Sequence, residues 1–262
     1  MKILFIIIFL FSIPIVSTTQ TEDNPGYPKK ITTVIIDPGH GGKDPGAISP
    51  NGIKEKDLNL QISFKLKEFL ENNYRDLNVI MTREDDRFIE LLDRGKIANE
   101  NDGNLFISIH CNSKLPTEEA KTGFEIYLLD PVRLEKAKEI TMQQNNYLEE
   151  LGYYPEDTVS KKVLSSLFEF SFYKNEERFA SILQTEMLKG TSLISRGIKQ
   201  EPFIVLYGAS MPAVLIECGF LTNENDENYL VSENGQYQLA SSIYKAVRYF
   251  KMDYDFENNF YK

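Results

Sequence analysis

The sequence predicts an α/β domain in three αβα layers, with a central, mostly parallel sheet of about six strands and a helical insertion. Short apolar, β-branched runs alternate with stretches that repeat at helical spacing, the pattern of βα units. A chain of 262 residues, 42% hydrophobic and 26% charged, is long enough to bury one large core. Loops rich in Gly or Pro follow the apolar runs, where open α/β sheets place their ligands.

Residues 31–36 (ITTVII) read as a buried strand that breaks into Asp37-Pro38-Gly39-His40-Gly41-Gly42, a segment too rich in turn formers to continue. Residues 55–73 are predicted helical, because Leu58, Ile62, Leu66, Phe69 and Leu70 fall on one face. A short strand at 77–81 precedes a helix at 85–100 with Ile89, Leu92 and Ile97 inward. Residues 105–110 (LFISIH) and 123–129 (GFEIYLL) give two more strands. The segment from 131 to about 175 breaks the rhythm with a helix at 133–151, a turn at 152–157 and a helix from about 159. That exceeds an ordinary connection, and long insertions of this kind serve as lids or walls. Residues 176–189 are predicted as the next sheet-packing helix, 203–206 and 213–217 as the last strands, and 236–251 as a closing helix.

Residues 1–20 have the layout of a secretory signal peptide: Lys2, an apolar run from Ile3 to Val16, then small polar residues. Retention of that run as an N-terminal anchor is the alternative. Residues 21–30 read as a linker and 31–262 as a single domain. The expected location is therefore outside the cytoplasm, with the protein secreted. A formal net charge of −10 argues against nucleic acid or an anionic membrane as the main partner. Two cysteines, Cys111 and Cys218, are too few for a disulfide framework. They read either as buried apolar residues on the far faces of neighbouring strands or as a pair.

His40 and His110 are the only histidines, and each falls where an apolar strand ends. Parallel strands put those ends on one edge of the sheet, so two imidazoles converge there. Glu217 ends a third such strand, and Glu55 opens the helix after the first loop. Catalytic zinc sites use about three N or O side chains and keep one position open. Each residue also has a plainer explanation. A histidine after a strand serves as a loop residue, Glu55 complements a helix dipole, and Glu217 binds the turn that follows it.

The blocks IIDPGHGGKDPGAISPNGIKEKDLNL, TREDD, DRGKIAN, LFISIHCNS, GFEIYLL, RGIKQEPFIVL and MPAVLIECGFLTN run in order along essentially the whole mature chain. In that order they resemble the zinc-dependent N-acetylmuramoyl-L-alanine amidases of the amidase-3 type. The resemblance implies hydrolysis of the amide between the lactyl group of N-acetylmuramic acid and L-alanine of the peptidoglycan stem, in cell separation or wall turnover. It implies one zinc ion on His40, Glu55 and His110, with Glu217 as the catalytic glutamate. Asn112, Arg83 and Arg196, in or near these blocks, either orient loops and substrate or make structural ion pairs. Some family members carry an extra helix that covers the site until an activator moves it. The matching segment here is 131–175, where Glu135, Glu139, Glu149 and Glu150 could reach the open zinc position. Its rival is a passive wall to the substrate groove. Two further functional alternatives are a zinc carboxypeptidase that trims the stem and a wall-binding module without turnover.

Overall fold

The computed structural model describes residues 30–113, 121–130 and 159–260. Along the chain come β1 (Thr33–Pro38), α1 (Glu55–Asn73), β2 (Asn78–Met81), α2 (Leu91–Glu100), β3 (Leu105–Asn112) and β4 (Phe124–Leu129). Then follow α3 (Val159–Gly190), β5 (Ser195–Glu201), α4 (Ile204–Tyr207), β6 (Ala213–Phe220), α5 (Glu224–Val231) and α6 (Glu233–Phe260). The six strands form one sheet in the order β2-β1-β3-β6-β4-β5. β2, β1, β3 and β6 are parallel, whereas β4 pairs antiparallel with β6 and parallel with β5. Two strands therefore run against four.

Strand alternation explains both layers. Val34 and Ile36, Leu105, Ile107 and Ile109, and Val214 and Ile216 face a thick layer in which α1, α3 and α6 bury Leu66, Leu183 and Phe250. Ile35, Phe106 and Leu215 face a thin layer with Ala98 of α2 and Val205 and Leu206 of α4. The period of two then places Ser108, His110 and Glu217 on the thin side, and Cys111 and Cys218 on the thick one. The chain enters at the amino end of β1: the Ile31 N–H donates to Asp255 Oδ1 at 2.8 Å, and Lys251 Nζ donates to the Ile31 carbonyl. No helix among the described residues is long and apolar enough to cross a membrane.

Several element boundaries differ from the sequence expectation. Residues 203–206 are not a strand but lie at the α4 turn, since so short an apolar run does not distinguish a strand from a buried helical turn. The true neighbour of β4 is β5, an edge strand whose polar residues disguise it. The helix expected from 85 starts at Leu91, because Asp85 instead bonds the Arg87 backbone and guanidinium in a turn. Residues 159–190 form one continuous helix rather than two, with no Gly or Pro before Gly190 to break it. The rest of the expected insertion, 131–158, lies outside the described residues. So do Glu135, Glu139, Glu149 and Glu150, and the leader at 1–20.

Candidate active site

The site begins where β1 runs out. Asp37 is fully buried and accepts from Thr82 Oγ1 (2.6 Å), Ser108 Oγ (2.7 Å) and Arg94 Nη1 (2.8 Å). Burial alone would push its carboxyl up, but the Arg94 charge and the hydroxyl bonds together hold it below the usual carboxylate range. Two buried arginines then grip the loop backbone. Arg94 donates to the carbonyls of Pro38, His40 and Ile89. Arg83 donates to the carbonyls of Pro38, Gly39 and Lys56.

Residue 39 has to be glycine. Its N–H donates to the Ile109 carbonyl at 3.0 Å, and an added Cβ would lie 2.2 Å from Cε1 of the His110 ring. The next residue, His40, adopts a left-handed φ of 60°. Such a conformation costs a non-glycine residue roughly 1–2 kcal/mol, and the Arg94–His40 carbonyl bond helps hold it there.

That conformation aims His40 at Glu55, the first residue of α1. His40 Nε2 lies 3.1 Å from Glu55 Oε2, and His110 Nδ1 lies 2.9 Å from Glu55 Oε1. The two rings meet edge to face at 4.9 Å. Asp44 Oδ2 lies 2.7 Å from His40 Nδ1, which leaves Nε2 to face the cluster. Glu55 is buried and also accepts from the Ala47 and Cys111 N–H groups and from Asn59 Nδ2. Burial opposes its charge, yet the two imidazoles hold it far below the usual range. Burial likewise opposes a charge on His40, and Glu55 and Asp44 more than offset it, raising the imidazole. Donor atoms from His40, Glu55 and His110 all lie within 4.8 Å of one another. Two imidazole nitrogens and a carboxylate oxygen suit zinc, so this donor set fits such an ion.

Glu217 completes the cleft. It is the register partner of His110 on β6 and lines a 280 Å³ cleft with His40, Glu55 and His110, walled by Phe203, Ile204 and Leu91. Glu217 Oε2 is covered and has no hydrogen-bond partner among the described residues. Burial, with the charges of Glu55 and Glu125, pushes its carboxyl well above the usual range. A cation on the three-residue cluster would counter the Glu55 charge and favour the ionised form.

All four residues singled out from sequence thus face one cleft. Arg83 proves to be a loop clamp rather than a cleft residue. Asn112 lines the cleft and donates to Glu125 Oε2 at 2.8 Å. Arg196 donates Nε to Glu125 Oε1 at 3.0 Å. Cys111 and Cys218 are buried free thiols on the thick side, the plainer of the two expectations. Arg94 and Glu125 were not anticipated. A buried arginine shows in sequence only as one charge in a helix, and Glu125 only as one polar residue inside an apolar run. Nor did the apolar stretch after β5 announce itself as a cleft wall.

Residues 34–249 match the family model described as N-acetylmuramoyl-L-alanine amidase. The N-acetylmuramoyl-L-alanine amidase AmiA of Escherichia coli K12 is 33% identical over 82% of this chain and 74% of its own length. Among solved structures, the N-acetylmuramoyl-L-alanine amidase of Clostridium difficile 630 superposes with a TM-score of 0.64 at 32% identity, over 86% of this chain and 98% of that one. The CwlD amidase of Clostridioides difficile, solved in complex with the GerS lipoprotein, gives 0.62 at 26% identity, over 84% and 98%.

Proposed function

The chain belongs to the amidase-3 family of N-acetylmuramoyl-L-alanine amidases, and from that premise we propose a zinc enzyme with His40, Glu55 and His110 as ligands and Glu217 as proton carrier. One observation carries the reading: His40 of the β1 loop, Glu55 of α1, His110 of β3 and Glu217 of β6 converge on a single cleft. The bond cut is the amide joining N-acetylmuramic acid to L-alanine in peptidoglycan.

Zinc, when bound, supplies Lewis acidity toward water and the scissile carbonyl. Asp44 accepts from His40 Nδ1 and so fixes the ring with Nε2 toward the ligand set. Glu217 takes a proton from the attacking water and passes it to the leaving alanine nitrogen. The apolar wall of Leu91, Phe203 and Ile204 thins out bulk water and strengthens each charge inside the cleft.

Glu217→Gln should lower peptide release from purified sacculi by at least about 100-fold while bound metal is retained. Activity at the native level would remove Glu217 from the mechanism. Metal analysis with chelation and zinc add-back tests the ligand set. Products carrying L-alanine at the amino end separate an amidase from a stem-trimming carboxypeptidase.

The same reading sends the protein outside the cytoplasm through the leader at 1–20, to act in cell separation or wall turnover. AmiA, a relative, is named for the same bond. It also gives the 131–175 segment a covering role that a partner protein relieves, in keeping with a relative solved together with a lipoprotein. Replacing 133–174 with a short bridge should then raise peptide release, and an unchanged or lower rate would count against that role.

A further inference from the structure

Strand β5 contains one residue too many. Phe124 pairs with Ser195, but Ile126, two residues on, pairs with Ile198, three residues on. The extra residue falls at Gly197, which takes a left-handed φ of 97° with nothing among the described residues within 4 Å of where a Cβ would be. In a regular strand Arg196 and Lys199, three apart, would face opposite sides of the sheet. The bulge turns both to the thin side, where both reach Glu125 Oε1, Arg196 through Nε at 3.0 Å and Lys199 through Nζ at 2.5 Å.

Glu125 does not need two cations. Its Oε2 already accepts from Asn112 Nδ2 (2.8 Å) and Tyr127 OH (2.6 Å). One carboxylate against an arginine and a lysine leaves a net positive charge. The two cations are not buried: their side chains are 29% and 37% exposed. They also stand in line with the catalytic row, because Glu125 is the register partner of Glu217, which is the register partner of His110. From β6 to β5 is two strand spacings, about 10 Å, and an extended peptide covers that in roughly three residues.

We propose that the leaving peptide lies across β6, β4 and β5, and that Arg196 and Lys199 form a subsite for a carboxylate on its second or third residue. This rests on the amidase reading and adds a specificity determinant to it. Arg196 offers guanidinium N–H groups beyond the Nε used on Glu125, and Lys199 carries three donors, so a second carboxylate can be bridged without releasing the first.

The test uses two synthetic muramyl peptides that differ only in whether that carboxylate is free or amidated. The native enzyme should favour the free acid about tenfold in kcat/KM, mainly through KM. Arg196→Gln and Lys199→Met should each bring the ratio close to one, and Lys199→Arg should preserve it. Because the ratio is taken within each variant, loss of folded protein cancels. Equal use of both substrates by the native enzyme, or an unchanged ratio in the first two variants, overturns the subsite. Failure of both the native enzyme and the variant with 133–174 replaced by a short bridge to cut either substrate overturns the amidase reading and the subsite with it.

Discussion

Asp37 and Glu125 are both acidic residues buried on the thin side of one sheet, and the protein compensates them in opposite ways. Asp37 meets Arg94 at 0% and 2% side-chain exposure respectively, with both hydroxyl partners inside the fold. Glu125 meets Arg196 and Lys199, each about a third exposed. The first arrangement spends its arginine on backbone carbonyls and makes a rigid seat for His40. The second keeps its cations at the surface, where a ligand can reach them. Similar charges thus serve positioning on one half of the edge and recognition on the other.

Breaking the buried half should have the largest effect. Arg94→Met leaves Asp37 ionised without its cation and frees the loop carbonyls, so a loss of about 3–5 kcal/mol is expected in chemical denaturation. Zinc affinity should fall with it, and a variant as stable as the native protein would show that the clamp is dispensable. Gly39→Ala follows, at about 3 kcal/mol, because the new methyl group collides with the His110 ring. Its diagnostic is metal content in the folded fraction, which should drop sharply.

Glu176 supplies the case of a buried carboxyl with no cation among the described residues; only the Ala213 N–H bonds it. Burial pushes it up to about 7. A folded-state value above the unfolded one means full stability below about pH 4.5 and a decline as pH rises through 7. Glu176→Gln should therefore stabilise the protein by about 2 kcal/mol at pH 8 and give no gain at pH 4. Thermal melts at the two pH values decide it. The smallest effect belongs to the exposed half: Lys199→Met should change stability by under about 1 kcal/mol, and a larger loss would move Lys199 from recognition to structure.

The inner strands β1, β3 and β6 were legible in sequence because each is an apolar run buried on both faces and stopped by a turn. The four cleft residues were legible because they sit at the carboxyl ends of those runs or at the start of the next helix. What escaped was whatever depended on tertiary contact. β5 carries Arg196, Lys199 and a bulge at Gly197, and so has neither clean alternation nor an apolar face. The short run before Gly208 packs as a helical turn only because β6 and α2 offer it a surface. The grip of Arg83 and Arg94 on the β1 loop joins residues more than 40 positions apart, beyond any local pattern.

Lys251 and Asp255 anchor Ile31 at the amino end of β1, while His40 follows its carboxyl end. Six residues of strand separate the two, about 20 Å. Anything joined upstream of residue 30, whether an affinity tag, a reporter domain or a lipid tether, departs from the pole opposite the catalytic mouth.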